Sequence, residues 1–254
     1  MPHLLRRLLE TAIDLRRLRG LLSLPRFAGD YLALRRRGLP LHLRNLYPQL
    51  GDHLPRTPFD PHYFHQAAWL CRRLADQRPA KHVDIGSDVR LVAAFSAFVP
   101  TEFIDIRPLP VALSGLECAA GNLTDLARPD CSIASLSCLH VIEHIGLGRY
   151  GDPLDPDGPS RAIGELARVL APQGRLYVST PVGRPRVEFN AHHVFDAAEF
   201  ASRFTPLRLE RFDLVGDDGS IRRGATPEDA RNSNYACGLF EFVRPATATE
   251  SHSS

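Results

Sequence analysis

Cysteine is sparse and unpatterned. The five residues Cys71, Cys118, Cys131, Cys138 and Cys237 are an odd number with no C-x-x-C pair. That argues against a disulfide framework or a zinc knuckle, no metal ligand set is expected, and a reducing compartment is implied. Long apolar runs are missing as well. No stretch reaches the ~18 uncharged apolar residues that a spanning helix needs. Arg6, Arg7, Glu10, Asp14, Arg16 and Arg17 interrupt the N-terminus where a signal peptide would be apolar. A cytoplasmic protein is expected. Nor does charge of one sign dominate: 31 Lys and Arg face 29 Asp and Glu, a net +2. Nucleic-acid binding by the whole surface is not expected. What remains is an ordinary globular composition in 254 residues, 44% hydrophobic and 24% charged. That suits one large domain with an appendage.

Residues 1–24 place Leu4, Leu5, Leu8, Leu9, Ala12 and Ile13 at helical spacing, with arginines on most of the other face. The pattern predicts a basic amphipathic helix, packed on the domain, lying on an anionic membrane surface or docked on a partner protein. Pro40, Pro48, Pro55, Pro58 and Pro61 make residues 38–61 a linker or an extended wrap. The expected organisation is an N-terminal extension over residues 1–60, a folded domain over 61–245 and a Thr/Ser/Glu-rich disordered tail over 246–254.

Within the domain a helix is predicted from His62 to Arg78, ending before Pro79. Strands are then predicted at His82–Ile85, Glu102–Ile106, Leu116–Ala119, Ser132–Ser137 and Arg175–Ser179, with helices at Val89–Phe98 and Ser160–Leu170. Two late strands follow, Leu207–Val215 and Gly238–Val243. Five strands joined by helices or long crossovers imply an α/β fold, a doubly wound, mostly parallel, Rossmann-like sheet. The late strands imply an antiparallel edge, and the N-terminal helix an extension.

The first strand and its turn read HVDIGSDVR, and Asp105 ends the second strand about 20 residues after Asp84. Ligands of open parallel sheets bind beyond the carboxyl ends of the strands. A glycine there lets the backbone approach closely, and an acidic residue at this spacing is placed to accept ribose hydroxyls. Gly86 stands alone, however, followed by Ser87 and Asp88. A pyrophosphate needs several bare amides and would be repelled by Asp88. Asp84 and Asp88 suit a ligand with a cationic sulfonium and an amino group far better.

The series HVDIGSDVR, EFIDIRP, GNLTDL, SCLHVIEHIGLGRYGDPLDPDG, IGELARVLAPQGRLYVSTPVG and HHVFDAAEF resembles the class I S-adenosylmethionine-dependent methyltransferases over roughly residues 60–200. HVIEHIGLGRYGDPLDP resembles a branch of them known only as a domain of unknown function. The resemblance implies S-adenosylmethionine as cofactor and methyl transfer to a small-molecule or glycan acceptor. By it, Gly86 and Ser87 line the methionine part, Asp105 holds the ribose, Asn122 and Leu123 flank the adenine, and His140 sits beside the methyl group. Transfer to oxygen or nitrogen needs a base. His144, His192, His193 and Asp152, on loops expected over the same sheet edge, are the candidates.

Two other readings stand beside this one. The same fold with its glycine-poor turn can serve as a non-catalytic scaffold docked through the basic helix. His140, Glu143 and His144 also match H-x-x-E-H, an inverted zinc-protease motif that on a helix sets both histidines on one face with Glu143 as base.

Overall fold

The computed structural model describes residues 20–246. All but the end of the predicted helix over residues 1–24, and the tail from residue 247, lie outside them. The chain divides into two compact units, Met1–Phe59 and Asp60–Ser254.

Among the described residues of the first unit there is a helix, α1 (Leu24–Arg36), entered through a 3-10 turn at Leu21–Ser23. Pro25 begins this helix rather than breaking it, because the first turn needs no amide donor. Arg35 and Arg36 lie in its last turn, where cations complement the helix dipole. Beyond it, the described residues of this unit hold one further element, a 3-10 turn at Leu43–Asn45.

The second unit opens with α2 (Pro61–Gln77). Asp60 caps it by accepting from the amides of His62 and Tyr63, and Arg78 ends it in the left-handed region at φ 45°. Gln66, Trp69, Leu70 and Leu74 form its buried stripe. There follow β1 (His82–Ile85), α3 (Val89–Phe95), β2 (Thr101–Asp105), β3 (Leu116–Ala120) and β4 (Ile133–Leu139). The rest comprises α4 (Gly158–Val169), β5 (Leu170–Val182), the short pair β6 (Arg186–Glu188) and β7 (His192–Val194), and α5 (Ala197–Ser202). Last come β8 (Arg208–Val215), β9 (Ile221–Arg222) and β10 (Ala236–Val243).

Eight strands make one sheet in the order β3-β2-β1-β4-β5-β10-β8-β9. The first five run parallel, with Val83 opposite Glu102 on one side and Leu136 on the other. β10 is antiparallel to both β5 and β8. The antiparallel edge expected from the sequence is present and holds three strands, β10, β8 and β9. β10 is inserted inside the sheet, and two-residue β9 lies outermost. Its insertion explains why Ala236–Phe242 is buried throughout. β6 and β7 form a separate two-stranded ribbon that the sequence did not signal.

Helices cover both faces. One face packs Ile163, Leu166 and Val169 of α4 and Phe200 of α5 against Val83, Ile85, Leu176 and Val178. The other packs Trp69, Leu70 and Leu74 of α2 and Leu91, Val92 and Phe95 of α3 against Phe103, Tyr177 and Leu239. Val178 and Tyr177 face opposite layers, as alternation along a strand requires. The order reverses between β1 and β4, so a crevice opens at their carboxyl ends. No helix among the described residues is long and apolar enough to cross a membrane.

Candidate cofactor and acceptor site

A cavity of about 210 Å³ lies at that switch point. Gly86, Ser87, Asp105, Asn122, Leu123, His140, His144 and Asp152, all singled out in the sequence, line it. Gly86 leaves β1 at φ +70°, a conformation that favours a residue without a Cβ. A Cβ there would stand 3.2 Å and 3.3 Å from the two methyls of Val141 and 3.8 Å from Asp105 Oδ2. Asp105, at the end of β2, accepts at Oδ1 from the Arg107 amide (2.7 Å), and Oδ2 is turned toward Gly86. Asn122 builds the next turn, its Oδ1 accepting from Thr124 N (3.0 Å) and Thr124 Oγ1 (2.9 Å).

Asp84 does not line the cavity, contrary to the expectation that it contacts the cofactor. Its place on β1 points it inward, where it is fully buried. It accepts from the Ser87 amide (3.1 Å), from Ser87 Oγ (2.8 Å) and from Ser137 Oγ. Ser87 Oγ in turn accepts from Leu139 N at 3.1 Å. Asp84 thus ties the β1 turn to the end of β4. Burial raises its pKa to about 6 against the opposing pull of these hydrogen bonds.

His140 ends β4 at φ +54° and is 9% exposed. Its Nδ1 contacts Glu143 Oε1 at 2.5 Å and its Nε2 lies 3.4 Å from Cys237 Sγ. Glu143 Oε2 accepts from Thr180 Oγ1 at 3.3 Å. Burial disfavours charge on both partners. Their mutual attraction prevails, raising the His140 pKa well above the ordinary histidine value and lowering that of Glu143.

The inverted zinc-protease geometry is not formed. His140 sits in a strand-end turn and only Ile142–His144 is helical, as one 3-10 turn. The two histidines do not share a helix face, and Glu143 is 1% exposed and engaged with His140.

The four proposed bases part company. His144 lines the cavity, and its Nδ1 donates to Ala191 O at 2.6 Å. Nε2 is then the free lone pair. Burial holds its pKa below the ordinary value, so the ring is neutral at pH 7. Asp152 also lines the cavity, but its carboxylate accepts from the amides of Gly146 (2.8 Å), Gly148 (3.3 Å) and Tyr150 (3.2 Å). It shapes the loop and has little capacity left as a base. His192 lies beside His144, ring centroids 6.5 Å apart, without lining the cavity. His193 faces elsewhere, stacked on Phe195 at 5.6 Å and lining a different depression. Neighbours on β7 must point to opposite faces, so both histidines could not serve one site.

Sequence reasoning missed Tyr63, Ile106, Arg107, Val141 and Arg161, which also line the cavity. Ile106 and Arg107 directly follow Asp105 and were accessible by adjacency. Tyr63 arrives from α2, and nothing in the sequence marks its approach.

Residues 130–213, from just before β4 into β8, match the family model of a Caenorhabditis protein of unknown function, DUF268. No curated protein matches the chain. Among solved structures, the N-methyltransferase NodS from Bradyrhizobium japonicum WM9, in complex with S-adenosyl-L-homocysteine, is similar at 17% identity and a TM-score of 0.50. That alignment covers 85% of this chain and 98% of NodS. The (4+2)-cyclase SpnF is similar at 12% identity and a TM-score of 0.55, covering 77% of this chain and 86% of SpnF. At such identities the likeness is one of fold. The chain has the Rossmann-like fold of these proteins, and the segment that matches the DUF268 model carries β4, β5 and most of β8 of its sheet.

Proposed function

We propose that the chain is an S-adenosylmethionine-dependent methyltransferase acting on a small-molecule or glycan acceptor. The observation that carries this is the convergence of Gly86 and Asp105, from two neighbouring parallel strands, on one cavity at the switch point. The residues present fit the cofactor. A bare Cα faces a carboxylate, and Asn122 and Leu123 continue the same wall. In this reading Asp105 accepts from the ribose hydroxyls, Asn122 and Leu123 flank the adenine, and Gly86 and Ser87 line the methionine end. When bound, the cofactor supplies an electrophilic methyl group on a sulfonium, so the protein needs chiefly to position and deprotonate the acceptor. His144 is the base. The Ala191 carbonyl fixes its tautomer, leaving the Nε2 lone pair available to take the acceptor proton. Tyr150, with its ring edge against His144 at 5.5 Å, and Tyr63 supply flat surfaces beside it for an acceptor.

Titration calorimetry of the full chain with S-adenosylhomocysteine tests this. Saturable binding in the micromolar range is expected, and no heat at millimolar ligand rejects the reading.

One observation favours a second reading, a binding module without methyl transfer. The amides of the first turn are already engaged, Gly86 with Ile104 O (2.9 Å) and Ser87 with Asp84. SpnF, a cyclase on this fold, illustrates that the architecture does not dictate methyl transfer. Binding of S-adenosylhomocysteine with no transfer of labelled methyl to any acceptor would select it. In either reading, peripheral contact with an anionic membrane is proposed for the basic residues 1–24.

A further inference from the structure

His62, His140 and Cys237 come from three separate elements, the first turn of α2, the end of β4 and the start of β10. One ligand atom from each lies within 4.8 Å of the other two. We propose that these three residues form a binding site for a thiophilic divalent transition-metal ion, with Zn²⁺ as its natural occupant. The site shares His140 with the wall of the cavity described above, but its test does not depend on the cofactor reading.

The distances suit tetrahedral coordination. Bonds of ~2.3 Å to sulfur and ~2.0 Å to nitrogen put ligating S and N atoms about 3.5 Å apart, and two ligating imidazole centroids roughly 5 Å apart. Here Cys237 Sγ lies 3.4 Å from His140 Nε2. The rings of His62 and His140 are nearly parallel, 16° between planes, with centroids 5.5 Å apart.

The orientation of the His140 imidazole points the same way. Histidines that hold a metal commonly give their other ring nitrogen to a carboxylate or a backbone carbonyl, which fixes the tautomer and raises ligand basicity. His140 gives Nδ1 to Glu143 at 2.5 Å, leaving Nε2 on the sulfur side. His62 is held by stacking on the ring of Tyr235, centroids 5.2 Å apart, two residues before the cysteine. Glu143 is itself held by Thr180. A lone buried cysteine or an ordinary core histidine has no need of this arrangement.

The donor set selects the ion. One thiolate and two imidazoles favour Zn²⁺ or Co²⁺ over Mg²⁺ and Ca²⁺, which prefer oxygen. The Cys237 thiolate and the Glu143 carboxylate would supply two negative charges against the dication in a site where His140 and Cys237 are shielded from water. No fourth His, Cys, Asp or Glu completes the set among the described residues. One coordination position is thus left for water or a substrate atom, beside the cavity that His140 lines.

The test is titration of the full chain, stripped with a chelator, with Co²⁺ and then Zn²⁺. Expected are one Co²⁺ per chain, the visible d–d bands of four-coordinate cobalt, a thiolate-to-cobalt charge-transfer band in the near ultraviolet, and displacement of all three by Zn²⁺. Cys237→Ser should remove the charge-transfer band. His62→Ala, at a half-buried position, should weaken Co²⁺ binding at least tenfold while leaving the circular-dichroism spectrum unchanged. Absence of the band from the unaltered chain overturns the proposal, as does its survival in Cys237→Ser. Full affinity in a folded His62→Ala removes that ligand and with it the three-residue site. Binding of S-adenosylhomocysteine is measured separately, so loss of either reading leaves the other intact.

Discussion

Asp105 Oδ2 lies 3.8 Å from where a Cβ on Gly86 would stand, so a carboxylate and a bare backbone face each other at the ends of two adjacent parallel strands. Two groups so placed hold a nucleoside between a hydrogen-bond acceptor and a close backbone wall. Asp105→Ala removes the acceptor. Bonds to a charged group contribute about 1.5–3 kcal/mol, so affinity for S-adenosylhomocysteine should fall roughly ten- to hundredfold. Calorimetry on the folded variant measures this, and an unchanged dissociation constant would mean that the ribose is held elsewhere.

Gly86→Ala probes the other half of the pair. A left-handed conformation costs a non-glycine residue about 1–2 kcal/mol. The new methyl would also press on Val141 at 3.2 Å and 3.3 Å. The melting temperature should fall by roughly 2–8 °C for a domain of this size. Affinity for S-adenosylhomocysteine should drop as well, because the methyl enters the cavity wall. A melting curve that does not move would show that the turn adapts.

The parts of this fold legible in the sequence were those set by local pattern. His82–Ile85, a short apolar run closed by a glycine, was bounded correctly, and Asp105 lay at a strand end as its spacing required. α4 carried a strong helical stripe and began only two residues earlier than predicted. What was not legible depended on pairing at long range. The insertion of β10 between β5 and β8 is a choice of neighbours, and nothing in Ala236–Val243 states it. Strand parity sets Asp84 on the same side as Gly86, so its inward place is not a matter of parity: the chain leaves the strand at Gly86, φ +70°, and Asp84 stays behind the turn, bonded to Ser87 and Ser137. Parity does separate His192 from His193. The meeting of His62, His140 and Cys237 could not be read at all, since the first and last are joined only through the folded sheet edge.

Arginine-rich residues 1–24 lead into α1, whose last turn adds Arg35 and Arg36. Each basic residue near an anionic surface contributes about 1 kcal/mol, an attraction that salt screens. The full chain should therefore pellet with phosphatidylserine-containing vesicles at low salt and be released at high salt. A variant lacking residues 1–40 should stay in the supernatant. Equal pelleting of both proteins would remove residues 1–40 from consideration.

The last prediction concerns pH and rests on a buried chain of hydrogen bonds beneath the cavity. Ser137 Oγ donates its one proton to Asp84. It must therefore accept from His82 Nε2, 2.8 Å away, which leaves His82 Nδ1 to accept from Ser135 Oγ at 2.8 Å. His82 is neutral in this scheme, and burial pushes its pKa down to about 3. The unfolded chain, with histidine near ~6.5, binds a proton that the native state refuses. The His82 contribution to stability is thus present above pH ~6.5 and is lost as pH falls toward 3. Asp84 acts in the opposite sense. With its pKa raised to about 6, the native state binds a proton that the unfolded chain, near ~3.9, has already released. Its contribution grows as pH falls from 6 to 4, so across that window the two slopes offset each other. Substituting either residue should expose the other. Relative to the unaltered chain, His82→Gln should gain stability by roughly 2–3 kcal/mol between pH 6 and pH 4, at about 1.4 kcal/mol per pH unit for one proton. Asp84→Asn should lose a similar amount over the same interval. Urea midpoints at several pH values give both differences directly, independent of any constant cost of the substitution. Parallel curves for His82→Gln and the unaltered chain would show that His82 carries its proton in the fold, and the hydrogen-bond polarity assigned here would then run the other way.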